Sequence, residues 1–354
     1  MFITNDGQQH HGGQVTPTAR RVELPLAGPA ARKLRDTGAA FWGNLHVVSE
    51  VFAETGHEDE DAFTALTTRA IIDRACRAAG FDADGAHLIR LGENAMFRLR
   101  EPVVVRVART AAYEPDAHRE VAVARWLEAE SYPAVRALPI EQPLVIDGRV
   151  VTFWEALSDQ EVYGSPAEVA TLLARLHAMT PPASLGLQPL RPFGRAERRI
   201  ENNGWLSPAD RSFLRNSLGA LKATYADLQF VLPAGVIHGD ASVGNVIHNR
   251  DGRAVLIDLD GFAIGPREWD LVLTAMYYDS FGWHTQEEYA EFVRVYGFDV
   301  MRWPGYPVLR DVREFLMVTW LSQKAGHDER AAAETRKRIA ALRSGGSKRD
   351  WRPY

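Results

Sequence analysis

The sequence has little cysteine and no long apolar run. Its single cysteine, Cys76, lies in a helix-like segment and cannot form a disulfide within the chain, so we expect a reducing compartment. No stretch approaches the roughly 20 apolar residues that a membrane-spanning helix needs, and the N-terminus lacks the basic start and apolar core of a signal peptide. We therefore expect a cytoplasmic protein that does not associate with membranes.

The sequence also lacks an excess of positive charge. It contains 41 Lys and Arg against 46 Asp and Glu, which gives a formal net charge of -5. Polyanions are attracted by strongly basic surfaces, so nucleic acid is a poor first expectation as a partner. A mildly acidic protein suits a neutral or cationic small molecule.

The 354 residues have the composition of a soluble globular enzyme, with 46% hydrophobic and 25% charged residues. This length suggests two lobes that share one active site. Four segments are predicted: a partly disordered N-terminal extension at 1–61, a nucleotide-binding N-lobe at 62–155, a catalytic and acceptor-binding C-lobe at 156–342, and a C-terminal tail at 343–354.

Five strand-like runs and one helix are predicted in the N-lobe after an opening helix. An acidic turn at 58–61 precedes that opening helix, where negative charge is favourable. Short apolar runs separated by turn residues indicate an antiparallel meander, and Asp147-Gly148 is a typical hairpin turn. The predicted strands are 87–91, 95–100, 103–109, 143–146 and 149–154, and the predicted second helix is 116–130.

The chain becomes mainly helical after Glu155. Ser165, Pro166 and Glu168 have the spacing of a capped helix start, and Ser207-Pro208 begins another helix in the same way. The exception is one hairpin with the sequence V-I-H-G-D-A-S-V-G-N-V-I-H-N-R-D-G-R-A-V-L-I-D-L-D. This hairpin carries most of the polar residues that suggest chemistry.

Two β-prone runs of this hairpin flank a predicted four-residue loop at 250–253. If Asn249 pairs with Ala254 across the loop, Asn245 lies opposite Asp258. Directly opposed side chains lie roughly 5 Å apart at Cβ and point to the same face. An amide and a carboxylate at that separation are hard oxygen ligands suited to Mg²⁺.

Asp240 lies five residues before Asn245, on the turn that leads into the first strand. A loop carboxylate in this position can accept the proton of a hydroxyl group. Taken singly, each of these polar residues is as well explained by local capping of a turn. The D-x-x-x-x-N spacing, followed by Asp258 on the paired strand, favours a site for phosphoryl transfer.

The segments H-G-D-A-S-V-G-N and I-D-L-D-G resemble the catalytic motif of the aminoglycoside phosphotransferase and choline kinase superfamily, relatives of the protein kinases. The resemblance covers roughly residues 62–342. It implies an α+β, bilobal protein-kinase-like fold: an N-lobe with a five-stranded antiparallel sheet plus a helix, and a mostly helical C-lobe with a catalytic hairpin. It also implies ATP or GTP in the cleft between the lobes.

The same resemblance implies roles for individual residues. Asp240 corresponds to the catalytic base, and Asn245 and Asp258 correspond to the Mg²⁺ ligands. Asp260 is a further carboxylate that assists, and His238 is expected to support the loop by hydrogen bonding.

The nucleotide side departs from the family pattern. Gly92 and Asn94 lie where the family places its nucleotide-binding loop, but the loop has one glycine, and an ordinary hairpin is an alternative interpretation. Arg106 stands where the family usually has lysine, and Glu120 is the expected carboxylate partner; simple surface charges are the alternative. Arginine keeps the positive charge but has a different reach and geometry. The approximate hinge positions, where backbone groups bind the base in the family, are Glu155 and Leu157.

The region 270–314 contains eight carboxylates against four arginines, together with many aromatic residues. In the family this region lines the acceptor pocket, and acidic side chains hold the amino groups of cationic antibiotics. The acceptor-binding candidates are therefore Asp279, Trp283 and Glu287, and Asp270 is expected to be structural, as a cap of its own helix. Solvated helix faces and core aromatics are the alternative interpretation.

The predicted function is an ATP- or GTP-dependent phosphotransferase that acts on a hydroxyl of a small molecule, an aminoglycoside or another cationic antibiotic or metabolite being one class of acceptor. A choline, homoserine or sugar kinase of the same superfamily is an alternative, because the fold does not decide the substrate. An alternative of another class is a non-catalytic nucleotide-binding module, which Arg106 and the glycine-poor loop motivate.

Overall fold

A computed structural model describes residues 63–354, so the predictions for the extension at 1–61, including its acidic turn, lie outside the described residues. The described chain has an N-terminal sheet lobe and a helical C-terminal lobe. One hydrophobic core lies within the sheet lobe, and a larger core in the C-terminal lobe extends to buried residues of 121–154. The predicted α+β bilobal fold is confirmed. No helix between residues 63 and 354 is long and apolar enough to cross a membrane.

The N-lobe contains one five-stranded antiparallel sheet in the order β1-β2-β3-β5-β4. The strands are β1 (His87–Leu91), β2 (Asn94–Arg98), β3 (Val103–Ala108), β4 (Leu144–Ile146) and β5 (Arg149–Glu155). On the central strand β3, Val103, Val105 and Val107 are buried while the intervening residues are less so, which is the alternation that predicted a strand. Helices α1 (Ala65–Ala79) and α2 (Glu114–Ala129) complete this lobe.

The starts of the helices follow from their capping residues. The side chain of Ser165 accepts a hydrogen bond from the Glu168 N–H, and Glu168 reaches back to the N–H of Ser165, as the spacing predicted. Ser207 caps its helix through the N–H of Asp210. Helix α1 begins after Thr64, whose side chain accepts from the backbone of the same helix.

The C-lobe is mostly helical and contains two short strand pairs, whose strands are three residues long. Its helices are α3 (Pro166–His177), α4 (Ala196–Glu201), α5 (Pro208–Ala226), α6 (Glu268–Asp279), α7 (Gln286–Tyr296), α8 (Tyr306–Ser322) and α9 (Glu329–Ser344). Its strands are β6 (Gly235–Ile237), β7 (Val246–His248), β8 (Ala254–Leu256) and β9 (Ala263–Gly265). Strand β6 pairs with β9 and β7 pairs with β8, both antiparallel. Helix α6 is almost wholly buried and packs against α7 and α8.

The predicted register of the β7–β8 hairpin is wrong by one residue. His248, not Asn249, pairs with Ala254. The loop is one residue longer than predicted because the Asn249 side chain accepts hydrogen bonds from the N–H groups of Asp251 and Arg253 and closes it.

This register removes the predicted opposed pair of side chains. Asn245 precedes β7 in a single turn of 3₁₀-helix, and its carbonyl accepts a hydrogen bond from the N–H of Ile257. Asp258 follows β8 with φ of 62°, in the left-handed region that non-glycine residues seldom adopt. The two side chains are therefore positioned by turns at the end of the hairpin and not by strand pairing.

His284, between α6 and α7, is a buried group with a strong expected effect on acid stability. Among residues 63–354 neither ring nitrogen has a hydrogen-bond partner, and burial lowers the pKa of His284 to about 4. The unfolded chain takes up a proton near pH 6.5, so the stability present above that pH is lost as the pH falls towards 4. When the pH falls from 7.5 to 4.5, the free energy of unfolding of the wild type should decrease by about 2–3 kcal/mol more than that of His284→Phe.

Urea unfolding at the two pH values measures this effect. His118→Gln, at an exposed histidine on α2, is the control and should keep the wild-type pH dependence. Equal acid sensitivity of His284→Phe and the wild type would contradict the prediction.

Candidate active site

The two motif segments approach each other through their glycines. Gly239 has φ of 89°, and a Cβ atom at this position would overlap the backbone carbonyl of Gly261. Only glycine satisfies both conditions, since it tolerates positive φ and leaves room for the neighbouring backbone. The glycines of H-G-D and I-D-L-D-G therefore allow the loop after β6 to lie directly against the turn after β8.

His238 joins the same two segments by hydrogen bonds. Its Nε2 donates to the carbonyl of Ile257 at 2.9 Å, and its Nδ1 accepts from the N–H of Asp240 at 3.2 Å. One neutral tautomer satisfies both contacts, with the proton on Nε2. The ring is fully buried and stacks edge-on against Phe262. These contacts are those of a residue that supports the loop.

Asp270 fixes this loop from the first turn of α6. Its buried carboxylate accepts hydrogen bonds from the N–H groups of His238 at 2.7 Å and Gly239 at 2.8 Å. His177 contacts the same carboxylate through Nε2 at 3.1 Å. Burial alone would raise the pKa of Asp270, but the interactions with His177 and His238, including their hydrogen bonds, together outweigh it and hold the pKa below its usual value.

The expectation that Asp270 caps its own helix is wrong. The N-cap of α6 is Arg267, and no side chain caps this helix start. The carboxylate instead binds backbone donors of the loop that precedes Asp240, a partnership that no local sequence pattern indicates because the two segments are about 30 residues apart.

Asp240 is held on one side and open on the other. Its Oδ1 accepts a hydrogen bond from Arg313 Nη2 at 2.5 Å, and Nδ2 of Asn245 lies 3.4 Å from its Oδ2. The Asn245 amide also donates to the backbone carbonyl of Asp240 at 2.8 Å. Because Nδ2 of Asn245 is used in this way, its Oδ1 remains available for a cation.

Arg313 on α8 is a site residue that the sequence did not reveal. It also donates to the carbonyl of Gly239 at 3.2 Å, and its guanidinium lies over the ring of Trp269. Arg313 is 73 residues from Asp240 in the chain, and an arginine on an amphipathic helix has the pattern of an ordinary surface charge. The structure brings Asp240 and Arg313 together through the packing of α6 against α8.

The side chains of Asp258 and Asp260 are exposed to solvent, but nearby protein groups displace part of the water around their carboxylates. This partial loss of hydration, together with the charges of Asp260 and Asp240, raises the pKa of Asp258 to about 8. The pKa of Asp260 is also raised, first by desolvation and then by Glu120. Like-charged oxygens gathered in this way are expected to attract a cation.

Arg106 and Glu120 form the ion pair that the sequence predicted. Nη1 of Arg106 donates to Oε1 of Glu120 at 2.9 Å, and a second bond joins Nη2 to Oε2. The Arg106 guanidinium lies over the ring of Trp154, and its charge lowers the pKa of both Asp258 and Asp260. The pair therefore faces the carboxylates of the hairpin from the N-lobe.

The glycine-poor loop between β1 and β2 reaches the C-lobe. The N–H of Gly92 donates to the carbonyl of Asn94 at 3.0 Å, and Arg109 donates to the carbonyl of Gly92. At the tip, Oε1 of Glu93 accepts a hydrogen bond from Nε1 of Trp320 on α8 at 3.2 Å. Gly92 and Asn94 thus form a tight turn at the mouth of the cleft, and their contact with a nucleotide stays a prediction.

The hinge positions lie at the junction of the two lobes. The N–H of Glu155, the last residue of β5, donates to the carbonyl of Arg136, and the carbonyl of Leu157 accepts from the N–H of Arg250. These bonds tie the junction to both lobes. A role of Glu155 and Leu157 in binding the base stays a prediction.

The three acceptor candidates have different surroundings, and their role in binding an acceptor stays a prediction. Asp279 accepts from the hydroxyl of Tyr306 at 3.2 Å and pairs with Arg310, while Trp283 donates to the carbonyl of Trp351. Glu287 is exposed in the first turn of α7. Within residues 63–354 no hydrogen bond or ion pair joins any of the three candidates to another or to Asp240.

Most of the acidic residues in 270–314 are already bound to protein groups. Seven of the eight have a partner in hydrogen bonds or ion pairs, Glu287 being the exception in the part of the chain that the structure describes. The seven are Asp270, Asp279, Glu288, Glu291, Asp299, Asp311 and Glu314. The acidic excess therefore largely serves capping and ion pairing, and it gives little support to a cationic acceptor.

This fold and this cleft, with Asp240, Asn245, Asp258 and the Arg106–Glu120 pair around it, define a small-molecule kinase. The chain belongs to the phosphotransferase enzyme family, whose model matches residues 88–312. No match to a curated protein sequence was found.

Solved structures show the same fold at low sequence identity. The amicoumacin kinase hAmiN, in complex with AMP-PNP, Ca²⁺ and Ami, is 12% identical with a TM-score of 0.62, over 81% of this chain and 97% of that chain. The choline kinase LicA from Streptococcus pneumoniae is 16% identical with a TM-score of 0.54, over 77% and 99% of the two chains. Spectinomycin phosphotransferase APH(9)-Ia, in complex with ADP and spectinomycin, is 14% identical with a TM-score of 0.52, over 76% and 92%.

Proposed function

We propose that this protein transfers the γ-phosphoryl group of ATP or GTP to a hydroxyl of a small molecule, with Asp240 as the catalytic base. The observation that carries the proposal is the environment of Asp240. Its loop is fixed by Asp270 and its Oδ1 by Arg313, while the side chain remains 57% exposed to the cleft. A base must be both positioned and accessible to an acceptor hydroxyl, and Asp240 meets both conditions.

The oxygen ligands near Asp240 fit Mg²⁺. Oδ1 of Asn245 and the carboxylates of Asp258 and Asp260 would hold the ion, with water and nucleotide phosphate completing its coordination. Within residues 63–354 no group of three or more His, Cys, Asp or Glu side chains is arranged to hold a metal ion, so the proposed ligand set depends on the amide of Asn245 and on the nucleotide phosphates. A bound Mg²⁺ would neutralise negative charge on the phosphates.

The raised pKa of Asp258 leads to a prediction about stability without the ion. Asp258→Asn is expected to raise the melting temperature of the cation-free protein above pH 8, because it removes one of several neighbouring negative charges. The same variant should lose the stabilisation that Mg²⁺ gives the wild type, with an apparent Mg²⁺ affinity lowered by about tenfold or more. Thermal unfolding with and without MgCl₂ measures both effects.

Asp251→Asn is the control for this experiment, since Asp251 is exposed in the hairpin loop and donates its N–H to Asn249 without facing the cleft carboxylates. It should resemble the wild type in both conditions. An Asp258→Asn protein that is stabilised by Mg²⁺ as strongly as the wild type would remove Asp258 from the proposed ligands.

The acceptor is best identified by a screen for ADP release. The solved relatives include kinases of amicoumacin, spectinomycin and choline, so we propose a hydroxyl-bearing antibiotic or metabolite and include aminoglycosides, choline, homoserine and sugars in the panel. Acceptor-dependent ADP release by the wild type supports the proposed function. Binding of nucleotide without ADP release for any acceptor would favour a non-catalytic nucleotide-binding module.

A further inference from the structure

Two arginines at the start of α4 lie on the C-lobe side of the cleft. Arg195 and Arg199 are four residues apart, so their side chains leave the same face of the helical turn. Nη2 of Arg195 is 4.0 Å from Oδ2 of Asp260, at the carboxylate end of the cleft. Arg199 is one turn further along.

Arg199 extends this face towards the nucleotide-side loop. The negative charge of Glu93, at the tip of that loop, is the strongest charge that acts on Arg199. Glu93 is itself bonded to Trp320 of α8, and α4 packs against α8. The two arginines therefore span the distance from Asp260 to the loop between β1 and β2.

Arg199 is partly buried. No hydrogen bond or ion pair to its side chain exists among residues 63–354. Burial lowers the pKa of Arg199, and the positive charges of Arg195 and Arg198 lower it further. Partly desolvated cations that repel one another are unfavourable unless an anion binds them, and guanidinium groups bind phosphate oxygens in a bidentate manner.

The N-lobe offers few groups for the terminal phosphate of a nucleotide. Both ends of the Arg106 guanidinium are bonded to Glu120, and the loop at Gly92 has a single glycine. Asp260, a proposed metal ligand, and Glu93, at the tip of the proposed nucleotide loop, bracket the place where a terminal phosphate would lie. Arg195 and Arg199 occupy the C-lobe wall between them.

We propose that Arg195 and Arg199 form a binding site for the terminal phosphate of the nucleotide. Arg106 is paired with Glu120, so the two C-lobe arginines supply the positive charge that the N-lobe lacks. They stabilise the phosphoryl group during transfer, as an arginine does in other phosphoryl-transfer sites. This inference rests on the proposed function, because it assumes that a nucleoside triphosphate binds in the cleft.

The test compares the affinities of a non-hydrolysable ATP analogue, ADP and AMP by calorimetry in the presence of Mg²⁺. The wild type should prefer the ATP analogue to ADP. Arg195→Ala and Arg199→Ala should each lower the affinity for the ATP analogue by about tenfold and leave that for AMP unchanged. Arg199→Lys should retain part of the preference, because it keeps the charge but loses the bidentate geometry.

Arg215→Ala is the matched control. Arg215 binds Glu201 at the end of α4 on the exposed surface, so its loss perturbs the same helix and removes the same charge without changing the cleft. This variant should keep the wild-type ratio of affinities, and melting temperatures confirm that all variants are folded.

The outcomes separate the inference from the proposed function. If the wild type binds no nucleotide, both are overturned. If the wild type prefers the ATP analogue and the two arginine variants keep that preference, only the inference is overturned. The inference is also overturned, and the proposed function is not, if the variants change only the KM of an anionic acceptor. The arginines would then bind the acceptor and not the nucleotide.

Discussion

Asp240→Asn is expected to lower kcat by about 10²–10⁴-fold and to leave nucleotide affinity and stability close to those of the wild type. An amide cannot take the proton of the acceptor hydroxyl, so the chemical step loses its base. The replacement keeps an oxygen that can accept the hydrogen bond from Arg313, and the side chain is more than half exposed. Little structural change is therefore expected.

Three measurements define this experiment: acceptor-dependent ADP release, calorimetric titration of the Mg²⁺-bound nucleotide, and thermal unfolding. Asp251→Asn, the same substitution in the exposed hairpin loop, should behave as the wild type in all three. Unchanged turnover of Asp240→Asn would refute the assignment of the base. A loss of nucleotide binding together with activity would instead indicate that Asp240 acts through the metal site.

The N-lobe was predictable because its determinants are local. Strands β2 and β3 alternate buried residues with less buried ones, and each turn between strands carries Gly, Pro or Asp. The Arg106–Glu120 pair was also predictable, because the family resemblance places a cation on β3 and a carboxylate on the next helix. The structure confirms this ion pair.

The hairpin register was not predictable from turn length alone. The side chain of Asn249 closes a loop one residue longer than the predicted one, and Asn and Asp commonly make such bonds in several loop geometries. A shift of one residue is enough to remove the opposed pair of Asn245 and Asp258. The motif nevertheless identifies residues that lie near one another, because Asn245 is hydrogen-bonded to Asp240 and the charge of Asp240 acts on Asp258.

Contacts between residues on distant helices could not be predicted from the sequence. Arg313 and Asp270 both act on the Asp240 loop from helices α8 and α6, and each looks like an ordinary charge on a helix when only the sequence is considered. The acidic region 270–314 shows the converse. Its charge suggested a site for cations, but its carboxylates are mostly bound by arginines, hydroxyls and backbone N–H groups that only the fold brings near.

Asp270→Ala is expected to reduce the free energy of unfolding by about 3–5 kcal/mol. The substitution leaves the N–H groups of His238 and Gly239 without these acceptors and removes one of the two hydrogen-bond partners of His177. The pKa of Asp270 is lowered in the fold, so its contribution is present above the pKa of an unfolded aspartate, near 3.9, and is lost as the pH falls through the lower folded value. The variant should therefore lose less stability than the wild type below about pH 4.

Asp279→Ala is the matched control, because Asp279 lies on the same helix but its ion pair with Arg310 is partly exposed. Asp279→Ala should reduce the free energy of unfolding by about 1 kcal/mol or less. Urea unfolding at neutral and acid pH measures both variants, and equal losses would contradict the role of Asp270. Because the Asp240 loop loses two of its hydrogen bonds in Asp270→Ala, the folded fraction of this variant should also have a lower kcat.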